Sequence, residues 1–373
     1  MQSVSDYLHA KASRNKVPLN GTFELSPVCN FACKMCYVRK TPEQIRKEGK
    51  SLIPWERWLA LAEQCRAAGT LYLLLTGGEP FLYPGFRELY TKLHQMGFVL
   101  YINSNGTMID RETVDWLKAM APGRVNITLY GASAETYRRV CGHEEGYHRA
   151  MNAIRMLQQA NIPVVINASM IPENADDLER IMETGRQMNI NTRVATYMFP
   201  PMRRDLEQAD SRFAPHESAG MYLRKMKCLH PGGTYVDFLK NQTARAACYE
   251  NNQDDWGQDV EYMRCRAGRS SFWINWEGTM TACGMLDFPL KTRPFEENFQ
   301  DCWMRMTNAV RTTPVLQGCA GCQMRELCKP CVAMIYGETG TVDQKAPYLC
   351  QMSECVLERM NKELEALDHV KEK

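Results

Sequence analysis

The sequence predicts an α/β fold in which a sheet of six parallel strands is followed by a small cysteine-rich domain. From residue 21 to about 199, short β-branched runs alternate with longer amphipathic runs, which is typical of repeated strand–helix units. After Arg264, strand signals become few and cysteines many, as expected of a loop-rich unit held together by metal. The 373 residues, 45% of them hydrophobic, suffice for one large domain and one smaller domain.

Six strands and five connecting helices are predicted in the first part of the chain. The predicted strands are Gly21–Ser26, Leu71–Thr76, Val99–Ser104, Val125–Tyr130, Val164–Ser169 and Thr192–Phe199. The predicted helices are Trp55–Ala68, Pro84–Met96, Arg111–Met120, Tyr147–Ala160 and Ala175–Met188. Six units are too few for a closed eight-stranded barrel, which leaves an open doubly wound sheet or a partial (β/α)6 barrel; we predict the partial barrel. Both arrangements place the chemistry at the carboxyl ends of the strands.

Changes in composition predict three regions. These are a barrel over residues 1–200, a bridging segment over 201–257 and a cysteine-rich domain over 258–373. The bridge begins near the diproline at 200–201, and we expect one or two helices in it. Trp273 and Trp276 alternate as in a hairpin strand that leads to Gly278, and residues 356–373 are expected to form a charged helix.

The charge balance excludes two classes of partner. Lys and Arg total 45 against 43 Asp and Glu, a formal net charge of +2, so we expect neither nucleic acid nor a membrane as a partner. The apolar runs, such as 71–75, are too short to span a bilayer, and the polar N-terminus does not resemble a signal peptide. We therefore expect a cytoplasmic protein. Because a reducing compartment does not maintain disulfides, the sixteen cysteines indicate metal binding.

A first group of three cysteines follows the first predicted strand directly. Cys29, Cys33 and Cys36 lie in Cys-Asn-Phe-Ala-Cys-Lys-Met-Cys-Tyr. A structural zinc site needs four ligands, whereas three thiolates on a four-iron cluster leave one iron open to another ligand. A zinc loop that borrows a distant ligand is the alternative. The second strand ends in Gly-Gly-Glu-Pro, where two glycines allow close backbone approach and Glu79 offers a carboxylate to an ammonium group.

Together these two motifs resemble the radical S-adenosylmethionine (radical SAM) enzymes. Their signature is three cysteines spaced three and then two residues apart and followed by an aromatic residue, here Tyr37. The resemblance covers residues 21–199. It implies that Cys29, Cys33 and Cys36 hold a [4Fe-4S] cluster whose open iron is chelated by the amino and carboxylate groups of S-adenosylmethionine.

The same resemblance implies a set of cofactor contacts, with Asn103-Ser104-Asn105 lining the ribose side and Arg139 pairing with the cofactor carboxylate. At Tyr130 the family has an Asp, which is a departure from its pattern. For each polar position, a turn former or a surface charge is the alternative. The full implied set is Tyr37, Gly77, Gly78, Glu79, Asn103, Ser104, Asn105, Thr128, Arg139 and Asn167.

A second group of cysteines resembles the SPASM extension of radical SAM enzymes, which holds two auxiliary [4Fe-4S] clusters. The resemblance assigns Cys265, Cys283 and Cys331 to the first cluster, and Cys319, Cys322, Cys328 and Cys350 to the second. Only two residues separate Cys328 from Cys331 where the family has three. The candidates for the fourth ligand of the first cluster are Cys248, Cys302 and Cys355, or the substrate, or none. A zinc knuckle from Cys319, Cys322, Cys328 and Cys331 is the alternative, and Cys65 and Cys141 are expected to be structural thiols.

The resemblance implies an oxidoreductase or maturase that cleaves S-adenosylmethionine reductively and abstracts hydrogen from a substrate carbon. Members with this extension most often modify a peptide or protein by crosslinking, epimerisation or oxidation, and this is the predicted activity. Haem precursors and aminoglycosides are alternative substrates. Anaerobic sulfatase maturation is a further alternative. In those maturases an Asp that acts as the catalytic base follows the cysteine matching Cys283, whereas Gly284 follows it here, which argues against that activity although Asp287 is close by. The expected partners are a flavodoxin- or ferredoxin-type electron donor and a separate leader-binding protein; a non-catalytic Fe-S or zinc protein is the competing class.

Overall fold

The computed structural model describes residues 4–201, 211–250, 261–319, 322 and 324–371, apart from the side chains of 248–250, 326 and 368–371. It confirms the α/β fold. Eight strands form one sheet in the order β6-β5-β4-β3-β2-β1-β7-β8. Their bounds are β1 Asn20–Glu24, β2 Tyr72–Thr76, β3 Val99–Ser104, β4 Arg124–Thr128, β5 Val164–Ser169, β6 Thr192–Ala195, β7 Ser271–Ile274 and β8 Met280–Thr281.

The strand order distinguishes between the two arrangements that the sequence left open. β1 to β6 are parallel and lie side by side in chain order, so every crossover steps in the same direction. A doubly wound sheet reverses its direction of crossover, and this one does not. Right-handed connections then place the crossover helices on one face and leave the other face for the interior of a partial barrel.

The helices of the barrel agree with the predicted ones and add several more. The prediction missed a helix ahead of the first strand, a short helix between β1 and β2, and a second helix between β4 and β5. The helices of this part are α1 Val4–Arg14, α2 Pro42–Lys47, α3 Trp55–Ala67, α4 Phe86–Gln95, α5 Arg111–Ala119, α6 Ala134–Cys141, α7 Gly146–Gln159 and α8 Leu178–Gln187.

One or two helices are expected in the bridge, and its described residues contain two; the charged C-terminal helix is longer than predicted. The remaining helices are α9 Pro215–Leu229, α10 Gly233–Glu250, α11 Phe299–Thr312, α12 Arg325–Cys328, α13 Val332–Thr339 and α14 Pro347–Lys371. α14 packs along α9 and α10 around a small apolar cluster that includes Leu223, Leu239 and Met360. Among the helices of the described ranges, none is long and apolar enough to cross a membrane.

The C-terminal region extends the barrel sheet and shares part of its core. β7 pairs in parallel with β1, and β8 returns antiparallel to it through a turn at Gly278, so the predicted hairpin forms on the barrel sheet itself. Phe272 on β7 is buried with Phe299 and Trp303 of α11 in the main core. The close approach needs Gly21, since a Cβ there would lie 2.4 Å from Phe272 Cζ.

Candidate active site

The three cysteines of the first group lie on the loop that leaves the carboxyl end of β1. Phe31, which is fully buried among Tyr130, Tyr137 and His143, anchors this loop. Its backbone N–H donates to Cys29 Sγ at 3.4 Å. The loop is also held by α6, because the N–H of Ala32 donates to the carbonyl of Cys141 at 2.9 Å. The helix α6, which the prediction missed, therefore supports the cysteine loop.

The Gly77-Gly78 turn after β2 packs directly against the cysteine loop. The N–H of Gly78 donates to the carbonyl of Ser26 at 2.7 Å, and the N–H of Glu79 donates to the carbonyl of Val28 at 2.9 Å. A Cβ on Gly77 would lie 2.4 Å from the Ser26 carbonyl oxygen, and one on Gly78 would lie 2.4 Å from that of Val28. Only glycine permits this approach, so the two motifs of the sequence form one surface.

Glu79 has a different position from the one the sequence suggested. Its carboxylate is fully buried behind the turn, where it accepts hydrogen bonds from Ser104 Oγ at 2.9 and 3.1 Å and from the N–H of Asn105 at 2.8 Å. It also accepts from the N–H of Phe81 at 3.2 Å. Burial raises the pKa of Glu79 to about 7, although these hydrogen bonds oppose the rise. The carboxylate joins the loops after β2 and β3.

Asn105 carries this connection on to the cysteines. Its side-chain Nδ2 donates to Asn30 Oδ1 at 2.9 Å and lies 3.7 Å from Cys29 Sγ. Its Oδ1 accepts from the Thr107 hydroxyl at 2.6 Å. The carboxyl ends of β1, β2 and β3 are therefore tied together by Glu79 and Asn105, with Cys29 at the surface they build.

A cavity of about 370 Å³ opens at this edge of the sheet. All three cysteines line it, together with eight other predicted or noted positions on the strand ends. These are Tyr37, Gly77, Gly78, Asn103, Ser104, Asn105, Thr128 and Tyr130. The sequence thus identified most of the wall contributed by β1 to β4, because the carboxyl ends of parallel strands meet at one edge.

Two of the predicted cofactor contacts lie elsewhere. Arg139 is on α6 outside the cavity wall, where its Nε donates to the carbonyl of Glu173 at 2.9 Å. Asn167 lies on β5 and lines a different cavity. Arg139 was placed by its distance after the fourth strand, and that distance does not determine which side of a helix faces the site.

The three thiols of the first group are half-buried, and the pKa values of two of them are raised. Burial raises the pKa of Cys29 to about 12; the Phe31 N–H opposes this, while Glu79, Cys33 and Cys36 add to it. The pKa of Cys33 is also raised, first through its hydrogen bond with the thiol of Cys141 and then through burial. The Tyr130 hydroxyl donates to Cys33 and lowers it. A cationic metal centre favours the thiolate, so metal binding here releases thiol protons.

The sequence missed the far wall of the cavity. Tyr197 and Phe199, which follow β6, and Arg212, which precedes α9, line it. The Arg212 guanidinium donates to Glu338 Oε1 on α13 at 2.7 Å, and the Tyr197 hydroxyl donates to the same oxygen at 2.6 Å. Burial, followed by this bond to Glu338, raises the pKa of Tyr197. The missed signal was the aromatic run after the last strand, at the edge where the other site residues were expected.

The second group of cysteines falls into two neighbourhoods. Burial raises the pKa of Cys319, and the nearby thiols of Cys322, Cys328 and Cys350 raise it further. Burial likewise raises the pKa of Cys265, and the thiol that adds to it belongs to Cys331. Cys331 is therefore a neighbour of Cys265, across 65 intervening residues of sequence.

The other cysteines are placed less closely. Cys283 lines a cavity of about 460 Å³ that shares Tyr37, Val38 and Met285 with the first cavity. Cys302 is fully buried in the main core, Cys355 packs beside the cluster of α9, α10 and α14, and the side chain of Cys248 is not described. Across the described part of the chain, no three His, Cys, Asp or Glu side chains gather closely enough to hold a single metal ion.

The donor set fits an iron–sulfur cluster and its ligand. Three sulfurs from one loop border a cavity whose wall continues through the Gly77-Gly78 backbone to the amides and hydroxyls at the ends of β3 and β4. A cluster held by three thiolates keeps one iron available, and the polar wall suits the amino, carboxylate and ribose groups of S-adenosylmethionine. The residues that would hold these groups are the three cysteines, Gly77 and Gly78.

Comparisons with known proteins agree with this geometry. A family model described as the Radical SAM superfamily matches residues 23–185. The sporulation killing factor maturation protein SkfB of Bacillus subtilis is 25% identical over 298 residues, which are 76% of this chain and 64% of SkfB. The AdoMet-dependent heme synthase of Methanosarcina barkeri is 23% identical over 340 residues, or 87% of this chain and 94% of the synthase.

Among solved structures, Streptococcus suis SuiB bound to precursor peptide SuiA superposes with a TM-score of 0.63 at 15% identity, covering 93% of this chain and 80% of SuiB. At that identity the likeness concerns the fold, and it extends through the C-terminal region. The family match ends within α8, and its span contains the cysteine loop, the Gly-Gly turn and the polar ends of β3 and β4. With its three-cysteine loop at the carboxyl edge of a partial barrel, this chain contains a radical SAM domain that matches the family model over residues 23–185.

Proposed function

We propose that this chain cleaves S-adenosylmethionine reductively and uses the resulting radical to modify a peptide or protein substrate. The observation that carries the proposal is the single surface formed by Cys29, Cys33 and Cys36 with the Gly77-Gly78 turn. When bound, the cluster would supply one electron to S-adenosylmethionine, giving a 5'-deoxyadenosyl radical that takes hydrogen from an unactivated substrate carbon.

The chain's own residues then bind and position the reactants. The Gly77-Gly78 backbone offers room for a cofactor head group, and Glu79 holds the Ser104 and Asn105 backbone in place behind it. Asn103 and Thr128 present polar groups to the same space. Tyr130 and Phe31 close the cavity beside the cysteines and exclude water from them.

Two auxiliary clusters are part of the proposal. The mutual interaction of Cys319, Cys322, Cys328 and Cys350 supports one cluster held by these four thiols. The nearness of Cys331 to Cys265 supports a second cluster, to which Cys283 would contribute. A zinc knuckle that uses Cys331 as its fourth ligand is disfavoured, since Cys350 takes that place beside the other three.

A peptide substrate is supported by the relatives and by the shape of the site. SkfB is named as a maturation protein of the sporulation killing factor, and SuiB binds precursor peptide SuiA. The first cavity is the size of one small-molecule ligand, and the second cavity adjoins it through Tyr37, Val38 and Met285. A peptide side chain could therefore reach the cofactor from the second cavity. The electron donor and a leader-binding protein remain proposed partners.

The heme synthase of Methanosarcina barkeri supports a second candidate, since its match covers nearly its whole length. A haem precursor is a flat polycarboxylate, whereas the second cavity contains Lys40, Lys50 and Lys291 together with the acidic Glu277 and Asp287. Lys50 and Lys291 are each paired with one of these carboxylates, at 2.5 and 2.6 Å. Lys40 is paired with Glu48, so all three lysines are ion-paired, which favours a peptide backbone over a polycarboxylate.

Anaerobic reconstitution tests the proposal. The holoenzyme is expected to bind about twelve irons, four for each of three clusters, and to form 5'-deoxyadenosine when dithionite is present. Cys33→Ala is expected to abolish 5'-deoxyadenosine, whereas Cys322→Ala retains part of it but forms no product. Cys228→Ala, at a partly exposed thiol of α9 outside both groups, is the matched control and should behave as wild type. Stoichiometric zinc without cofactor cleavage would refute the proposal.

A further inference from the structure

A third cavity lies inside the partial barrel, at the end opposite the cysteines. It encloses about 540 Å³ between the amino-terminal half of the sheet and α1. Alternate residues of successive strands face it, among them Asn20 on β1, Tyr72 on β2, Tyr101 on β3 and Arg124 on β4. A closed barrel fills this space with layers of branched apolar side chains. Here the same face is mostly polar, so a packing role does not account for these residues.

The cavity is positively charged. Three arginines line it, Arg124 from β4, Arg193 from β6 and Arg266 ahead of β7, and no carboxylate is among the described residues of its lining. Arg266 pairs with Asp6 at 2.7 Å, at the surface. Burial lowers the pKa of Arg124 and the charge of Arg193 lowers it further, with Tyr101 opposing them. His9 also faces the cavity, and burial lowers its pKa, so it adds no charge at neutral pH.

The guanidinium of Arg124 lies over an aromatic ring, whereas the arginine of the cavity at the cysteine loop is paired with a carboxylate. Its guanidinium carbon lies 4.8 Å from the centre of the Tyr101 ring, and that ring stacks on Tyr72 at 6.1 Å. Its Nε is buried without a hydrogen-bond partner. By contrast, Arg212, which lines the cavity at the cysteine loop, is paired with buried Glu338. The N–H group at Nε of Arg124 has no acceptor, and the other charged side chains that line the cavity are also arginines. Such a guanidinium is suited to bind an anion.

Two acceptors face the same space. The Oδ1 atoms of Asn20 and Asn126 are buried without partners, and Asn126 is itself only 4% exposed. Its Nδ2 donates to Asn103 Oδ1 at 2.7 Å, which fixes the amide and directs the unmet oxygen. The cavity therefore needs a ligand that accepts from Arg124 and donates to the two amides. A bare phosphate meets the first need and a neutral sugar meets the second.

We propose that this cavity binds a phosphate monoester that carries hydroxyl groups, of the size of a pentose phosphate or a nucleotide. The phosphate lies against Arg124 and Arg193, and the hydroxyls donate to Asn20 and Asn126. The site is separate from the one at the cysteine loop, and it does not depend on the proposed reaction. It gives the sheet one ligand at each end of its inner face, with Asn103 between them.

Calorimetry with ribose 5-phosphate tests the proposal on the reconstituted holoenzyme saturated with S-adenosylmethionine. We expect ribose 5-phosphate to bind at least tenfold more tightly than either inorganic phosphate or ribose. Arg124→Gln and Asn126→Asp should each weaken it by tenfold or more, the second by placing a carboxylate where the ligand is anionic. Arg87→Gln is the matched control, because Arg87 also lies over a ring, 5.0 Å from that of Trp116, but on the surface.

Several results would overturn the inference. One is the absence of ribose 5-phosphate binding at millimolar concentration, which would mean that the cavity holds water only. Another is binding that Arg124→Gln and Asn126→Asp leave unchanged, which would place the ligand elsewhere. Should Arg124→Gln not fold, Arg193→Gln on the exposed end of β6 serves instead, with the same expected loss. Cofactor cleavage by Arg124→Gln should be retained, so that failure here is distinct from failure of the proposed reaction.

Discussion

Glu338→Gln is expected to destabilise the contact between the C-terminal region and the barrel. The Glu338 carboxylate, 8% exposed, accepts from Arg212 at 2.7 Å and from Tyr197 at 2.6 Å, and the Arg212 side chain is 16% exposed. Hydrogen bonds to a charged group contribute about 1.5–3 kcal/mol each. The neutral amide keeps part of this geometry and avoids the cost of burying a carboxylate. The expected net loss in the free energy of unfolding is therefore about 2–3 kcal/mol.

A double-mutant cycle measures the ion pair itself. Urea unfolding of wild type, Glu338→Gln, Arg212→Gln and the double variant should give a coupling energy of about 2 kcal/mol. The pair of Arg224 and Glu179 is the control, since its atoms are also within hydrogen-bond distance, at 2.5 Å, but its side chains are 37% and 49% exposed. Its coupling should stay below about 1 kcal/mol because water screens it. Equal coupling in the two cycles would refute the argument that burial strengthens the inner pair.

Two further predictions concern the packing of the sheet and the turn at its edge. Gly21→Ala should lower the free energy of unfolding by about 1–3 kcal/mol because the new Cβ overlaps Phe272, and Phe272→Leu in the same chain should recover part of the loss. Gly233→Ala, where the Cβ meets open space, is the control and should leave the free energy of unfolding unchanged. An equal loss in the control would contradict this reasoning. Glu79, with a pKa near 7 against 4.5 unfolded, favours its protonated form when folded, so its contribution to stability falls as pH rises. Between about pH 5.5 and 8, wild type should therefore lose about 2 kcal/mol relative to Glu79→Gln in urea unfolding, and a constant difference between the two would rule out the buried carboxylate as the cause.

Local pattern was enough to predict the strands of the barrel. β3 and β5 have the predicted bounds because each is a short run rich in β-branched or aromatic residues that ends in a serine. β6 was predicted to reach Phe199 but ends at Ala195, since the aromatic residues that follow leave the ladder and line the cavity. A run of bulky residues satisfies the strand pattern whether or not it has a neighbour to pair with.

The contacts that join distant segments could not be predicted in this way. β7 is four residues long, and its partner β1 precedes it by about 250 residues, so no local signal indicates that it extends the sheet. The hairpin at Gly278 was predicted correctly from the same residues, because both of its strands are local. Glu79 shows the corresponding limit for the site. The sequence placed it at the right turn, but whether a carboxylate faces a cavity or donors behind the turn depends on β3, which the motif does not include.

The C-terminal region has two functions that deletion cannot separate. It supplies the second group of cysteines, and it also contributes to the barrel, where β7 pairs with β1. Met285 lines the cavity at the cysteine loop, and Glu338 holds Arg212 in the far wall of that cavity. Removing it would leave β1 as an exposed edge strand and open the cavity, so a loss of cofactor cleavage in a truncated chain carries no information about the auxiliary clusters. Substitution of single cysteines leaves these contacts in place. Because Cys322 is not among the residues that line the cavity at the cysteine loop, Cys322→Ala tests the role of the second group of thiols with the barrel contacts in place.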